Sequence, residues 1–238
     1  MSLDQIYNVL VVIAVFLGVA AFLKLVYAIY VVREKYSNKP GGLFAELATE
    51  MFEEEKFEEL IDLCNGEILK KPDDPYAYWY LGRVHYSRNE YEKAKKIYQE
   101  IEKISPGLYT TASNLGTIYE LSGKPDSALF WIKKSIELNP KSHYGSEWIH
   151  IKILEFKLSK TKDIQASILG LDFGNKAIPS GPENQDLEKL RRHIWHQLRE
   201  RTTFVKPENK IVGNIYFDLG NVLAQTRNVE AALESYEA

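Results

Sequence analysis

The stretch Tyr78–Pro106, YWYLGRVHYSRNEYEKAKKIYQEIEKISP, decides the fold, because its pattern returns at Ala112–Pro140 as ASNLGTIYELSGKPDSALFWIKKSIELNP. The first of these runs Tyr78, Leu81, Gly82 and His85, then Ala94, Tyr98 and Pro106. The second runs Ala112, Leu115, Gly116 and Tyr119, then Ala128, Ile132 and Pro140. A looser copy precedes both: Phe44, Leu47, Ala48 and Met51, then Leu60, Cys64 and Pro72. The prolines at 72, 106 and 140 mark one period of 34 residues.

The spacing carries its own physics. Leu81, Val84 and His85 fall on one helical stripe, and Ala94, Ile97, Tyr98 and Ile101 on another. Gly82 and Gly116 remove a side chain where two helices cross closely, and Ala94 and Ala128 do the same on the second helix of each pair. Asn89-Glu90 and Gly123-Lys124-Pro125-Asp126 supply turns, and Pro106 and Pro140 stop the second helices. One hairpin of this size cannot bury its apolar stripe alone, whereas stacked neighbours can.

On these residues the chain resembles the tetratricopeptide repeat, whose signature is a large residue, Leu-Gly and Tyr at this spacing, then Ala-x3-Phe and Pro on a period of about 34. The resemblance implies an all-α solenoid of antiparallel helix pairs that binds proteins. Residues 41–142 read as three contiguous repeats. Residues 143–212 read as an irregular helical repeat region: a first helix over His143–Ser159, a loop over Leu169–Pro182, a helix over Asn184–Arg201 and a break at Pro207. Residues 213–238 return to the pattern with Tyr216, Leu219, Gly220 and Leu223, then Ala232 and Tyr236, and stop before the expected proline.

Residues 1–36 read as a transmembrane anchor with a juxtamembrane segment. Gln5–Leu23 carries no charge, and Leu25–Val32 is again apolar after Lys24. A bilayer core needs about 20 apolar residues as helix, so residues 5–32 are expected to contact the lipid bilayer. Lys24 can snorkel, and Tyr7, Tyr27, Tyr30 and Tyr36 suit the interfacial belts. A cleaved signal peptide is the rival reading, but no basic segment precedes the apolar run. Lys24, Arg33, Lys35 and Lys39 follow the run, so the positive-inside rule gives a single-pass membrane protein with cytoplasmic repeats. The single cysteine, Cys64, permits no intramolecular disulfide.

The net charge is −3, which gives no electrostatic bias toward nucleic acid. Acidic residues from Glu46 to Asp62 crowd the first repeat, as a solvated face or a dock for a basic partner. Lys189, Arg191, Arg192, Arg199 and Arg201, interleaved with His193, Trp195 and His196, make a basic helix; it is a solvated face or a site for anionic lipid or an acidic peptide. His193 and His196 lack the Glu and third ligand of a zinc motif, His143 and His150 read as packed or capping, and Cys64 as a buried inert thiol. Gly170-x3-Gly174 is no phosphate loop, and no Gly-x-Ser-x-Gly elbow occurs. No catalytic residue, metal or cofactor is therefore expected.

In the resembled family the first helix of each repeat lines a concave groove. By that resemblance Tyr76, Trp79, Tyr80, Arg83 and Tyr86 project toward the groove from the second repeat, Thr110, Ser113, Asn114 and Thr117 from the third, and Trp148 beyond. The same side chains also have a packing reading. The Lys and Asn of a carboxylate clamp are missing, since Ala45 and Thr49 stand at those first-repeat positions and Asn114 falls where Arg is expected. The architecture resembles bacterial membrane-anchored proteins of this kind. The expected function is a membrane-tethered scaffold that binds a partner peptide or helix in the groove. The alternatives are a periplasmic or exported array and a non-catalytic subunit of a membrane enzyme complex.

Overall fold

The computed structural model describes residues 42–159, 166–174, 179–182, 185–205 and 208–237. The expected membrane segment, residues 5–32, lies outside the described residues. No helix among the described residues is long and apolar enough to cross a membrane. The chain divides into two compact units, Met1–Tyr80 and Leu81–Ala238.

The described residues are all-α. The helices are α1 (Gly42–Glu53), α2 (Phe57–Lys70), α3 (Pro75–Ser87), α4 (Tyr91–Ile104), α5 (Tyr109–Leu121) and α6 (Pro125–Leu138). A 3-10 turn at Ser142–Gly145 leads into α7 (Glu147–Leu158), followed by α8 (Leu187–Thr202), α9 (Lys210–Thr226) and α10 (Val229–Glu237).

The period of 34 is visible in the backbone. Glu55, Asn89 and Gly123 hold left-handed φ values of 57°, 60° and 72°. The next amide in each case returns to the helix just left: Lys56 N–H to the Met51 carbonyl, Glu90 to His85, and Lys124 to Tyr119, at 2.8 to 2.9 Å. This is the Schellman arrangement, which satisfies carbonyls that a helix end leaves open. Gly123 adopts the left-handed region without steric cost and Asn89 at little, whereas Glu55 is the least suited of the three.

The buried positions follow the same period. Leu60, Ala94 and Ala128, like Cys64, Tyr98 and Ile132, are each at most 1% exposed. Gly116 lies where a Cβ would come 2.6 Å from Ile132 Cγ1, and a Cβ on Gly82 would come 2.9 Å from the Tyr98 ring. The small residues of the first helices therefore exist to admit the large residues of the second. Cys64 is free and buried, as expected.

Beyond Pro140 the core is built differently. Ile149 and Ile153 of α7, Leu190, Ile194 and Leu198 of α8, and Ile215, Leu219 and Val222 of α9 form one apolar cluster. Leu169, Leu171 and Phe173 complete it. They come from the stretch expected to be a loop; its described residues 169–174 are irregular backbone, and alternate side chains there face inward. A buried loop must satisfy its own backbone. Here Asn214 of α9 does so, accepting from Ile168 N–H at 2.9 Å and donating to the Ala166 carbonyl at 3.0 Å.

The same loop is tied to a buried carboxyl. Ser167 Oγ donates to Asp218 Oδ2 at 2.6 Å. Burial, which outweighs that hydrogen bond, pushes the Asp218 carboxyl up to about 7. A raised folded value means that its contribution to stability is present below the unfolded value near 3.9 and is lost as pH rises through about 7. Asp218→Asn is expected to stabilise the protein at pH about 8 by on the order of 2 kcal/mol and to have little effect at pH about 4. Urea unfolding at the two pH values measures this. An equal effect at both would mean that Asp218 is not charged against burial.

Candidate functional site

Helix α3 begins at Pro75, whose fixed φ suits a first helical position, and carries five of the residues expected to face a partner. Tyr76 is exposed and Trp79 half-buried. Tyr80 is not on a free face: it is 6% exposed. Its hydroxyl donates to the Ala45 carbonyl at 2.9 Å and lies 2.7 Å from Thr49 Oγ1. Its ring meets Phe44 edge-on at 5.8 Å. Tyr80 is therefore a packing residue. A first helix in a stacked array is covered on two sides, and the single core stripe read from the sequence accounted for only one.

Trp148 is half-buried and also makes packing contacts. Its indole N–H donates to His193 Nδ1 at 2.9 Å, and its ring packs against the apolar cluster of α7, α8 and α9. Arg83 is half-buried. Trp79 and Tyr80 meet edge-on at 4.9 Å, and Tyr86 and Asn114 also come together. They line one cavity of about 180 Å³, with Ser113 and Thr117 of α5 on the same wall. Burial pushes the Tyr86 phenol up, well beyond its ordinary value.

The far wall of this cavity comes from α8, through Gln197, Glu200 and Arg201. The cavity is also lined by His143, Glu147 and His150, which with Arg201 belong to an ionic cluster that sequence reasoning did not find. Arg201 grips Glu120 with both terminal nitrogens, Nη1 to Oε1 at 2.8 Å and Nη2 to Oε2 at 3.1 Å. His150 Nε2 lies 2.6 Å from Glu120 Oε2, and Lys157 Nζ donates to Glu120 Oε1 at 2.6 Å. Glu147 pairs with His143 through Oε1 and lies 3.5 Å from His150 Nδ1 through Oε2.

The charges set each other. Burial alone raises the Glu120 carboxyl, but the hydrogen bond from His150 and the charges of His150 and Arg201 hold it well below the usual range. Glu147, also raised by burial, is brought down to about 2 by hydrogen bonds from His143 and His150. Burial lowers His150, and hydrogen bonds to Glu120 and Glu147 more than reverse it. The hydrogen bond to Glu147 raises His143. On the cavity wall, buried Arg201 Nε lacks a hydrogen-bond partner among the described residues, and Glu147 Oε2 has only the long contact with His150 Nδ1 at 3.5 Å. The one sequence signal was a charged residue, Glu120, four positions after Gly116 on the packed face of α5. Its partner stands 81 residues away, beyond any local pattern.

A second, larger recess of about 670 Å³ lies between the 3-10 turn and α8, lined by Lys141, Tyr144, Lys189, Arg192, Trp195 and Arg199, among others. His193 and His196 also border it. Burial lowers both imidazoles. No group of acids, cysteines and histidines among the described residues is arranged to hold a metal ion. The acidic residues of the first repeat, Glu53, Glu54, Glu55, Glu58 and Glu59, are exposed.

The repeats are similar to those of known proteins. Tetratricopeptide-repeat models match residues 75–108 and 110–142. Anaphase-promoting complex subunit 3 of Schizosaccharomyces pombe is 24% identical over 179 residues, which are 72% of this chain and 26% of that protein. The chain thus spans about a quarter of that relative's length. Solved structures of similar fold include YrrB, a tetratricopeptide protein with an unusual peptide-binding site, at 14% identity and a TM-score of 0.45 over 81% of this chain and 80% of that one. The MamA protein is similar at 9% identity and a TM-score of 0.46, over 82% and 87% of the two chains. The chain is an all-α repeat protein that carries tetratricopeptide repeats at residues 75–108 and 110–142.

Proposed function

We propose that this chain is a membrane-tethered scaffold that holds a partner protein against the first-helix face of its repeats. The tetratricopeptide repeats make it a protein-interaction module. Residues 5–32 supply the tether, on the strength of their apolar length and the basic residues after them. The repeats then lie on the cytoplasmic side.

The observation that supports a contact on the first-helix face is the cavity shared by Tyr86 and Asn114. At about 180 Å³ it is smaller than the roughly 300–1,000 Å³ of small-molecule sites, and it suits one side chain of a partner segment. Its unpaired Arg201 Nε favours a polar tip on that side chain, since buried polar atoms are otherwise nearly always paired.

A photo-crosslinking residue in place of Asn114, in the full chain in its native membrane, tests this. The expected result is a protein adduct at position 114 and none at the exposed Lys133. The adduct should stay in the pellet after carbonate extraction and become soluble when residues 1–36 are deleted. Adducts at Lys133 alone would overturn the groove reading, and carbonate release of the intact chain would overturn the tether.

A further inference from the structure

The basic helix was left with two readings by its sequence, a solvated face or an anion site. Its surroundings separate them. Lys189, Arg192 and Arg199 are exposed along α8, and Lys141 reaches the same recess from the end of α6. Among the described residues none of these four pairs with a carboxylate, whereas the neighbouring Arg191 is paired with Glu188 at 3.1 Å. No acidic residue lines the recess. Four unneutralised cations around one concavity focus a positive potential that a convex solvated face does not.

The recess also holds two exposed aromatic rings. Tyr144 is 80% exposed and Trp195 51%. Tyr144 is held out by a strained backbone: His143, Tyr144 and Gly145 have successive φ values of 47°, 57° and 74°. For residues other than glycine this conformation costs about 1–2 kcal/mol each. It persists here because His143 pairs with Glu147, Ser146 Oγ donates to the His143 carbonyl at 2.6 Å, and the Tyr144 ring packs edge-on against His196 at 5.1 Å. Strain of this kind concentrates where a side chain must be presented.

We propose that the recess between the 3-10 turn and α8 binds an acidic peptide segment, with Lys141, Lys189, Arg192 and Arg199 on its carboxylates and an apolar side chain between Tyr144 and Trp195. The ligand class rests on the reading of the chain as a protein-interaction module; the site is separate from the cavity at Asn114. The charge is confined to the recess, because Asp186 at the N-cap of α8, Glu188 and Glu200 flank its basic positions. A nucleic acid backbone requires a longer basic track.

The test uses the full chain in neutral detergent micelles and the anisotropy of a fluorescein-labelled acidic hexapeptide containing one phenylalanine. Saturable binding is expected. It should weaken about tenfold or more in Arg192→Glu/Arg199→Glu, and as salt rises from about 0.1 M to about 1 M, where the screening length falls from about 10 Å to about 3 Å. Trp195→Ala should weaken it severalfold, and the same peptide with alanine for phenylalanine should bind Trp195→Ala and the unmodified chain alike. All substituted residues are exposed, and helicity and the urea midpoint check that each variant folds. If the double reversal does not fold, Lys141→Gln/Lys189→Gln gives the same readout.

Absent binding, or equal binding by a folded charge-reversed chain, overturns the proposal. So does displacement of the peptide by oligothymidylate or dihexanoylphosphatidylserine more readily than by unlabelled peptide. Crosslinks at position 114 without peptide binding would remove this site alone, and peptide binding without those crosslinks would remove only the cavity.

Discussion

Glu120→Ala is expected to destabilise the protein by about 4 kcal/mol, since breaking a buried ion pair from one side leaves its partner charged and dry. The side chain of Glu120 is 1% exposed and that of Arg201 5%. Of the three cations it holds, His150 can lose its proton and the Lys157 side chain is 32% exposed. Arg201 can do neither, because a guanidinium keeps its proton in proteins. The cost should therefore fall chiefly on Arg201. Glu120→Leu with Arg201→Met should recover most of it, because a buried pair replaced by apolar residues of similar volume is often neutral or better. A urea midpoint that moves by less than the equivalent of about 1 kcal/mol in Glu120→Ala would mean that the cluster is solvated.

The same cluster has a pH signature. His143 and His150 have raised folded values, so their contribution is full below the unfolded value near 6.5 and is lost as pH rises through the folded one. Glu120 and Glu147 have depressed folded values, so theirs is full above about 4.3 and is lost as pH falls through the folded value, about 2 for Glu147. The cluster contributes most between about 4.5 and 6.5. Glu120→Ala should flatten both limbs of the stability profile.

Gly116→Leu is the second large effect. A Cβ alone at this position would come 2.6 Å from Ile132 Cγ1 and 3.3 Å from the Ile132 backbone nitrogen. The Ile132 side chain can rotate away, but the backbone of α6 cannot shift without moving the helix. Overpacking typically costs about 1–3 kcal/mol and sometimes more, and with backbone in the way a loss of about 3 kcal/mol or above is expected. The exposed Lys133→Gln, one position on from Ile132, should stay within about 0.5 kcal/mol. Equal midpoints for the two variants would show the helix register to be wrong.

The candidate site was legible only in part. Asn114 and Tyr86 were singled out from repeat register, and they do share a cavity. Tyr80 and Trp148 occupy first-helix positions too, yet one is bonded to Ala45 and the other to His193. Position within a repeat fixes which way a side chain leaves its helix. It does not say whether another element already lies there.

What the sequence by itself determined is the part of the fold that repeats. The glycine, alanine and proline positions at 34-residue spacing specify close helix crossings, Schellman turns and helix stops, and each is a short-range consequence of chain geometry. Tertiary structure alone decided the rest. Leu169, Leu171 and Phe173 have no helical period, and their burial depends on a surface that α7, α8 and α9 create together. Glu120, Arg201 and His150 are unremarkable charges in a string; they become one cluster only when the fold brings Arg201 of α8 to Glu120 of α5. Local patterns are written by neighbours within a turn or two. A buried charge network is written by desolvation, which no residue undergoes until distant chain closes over it.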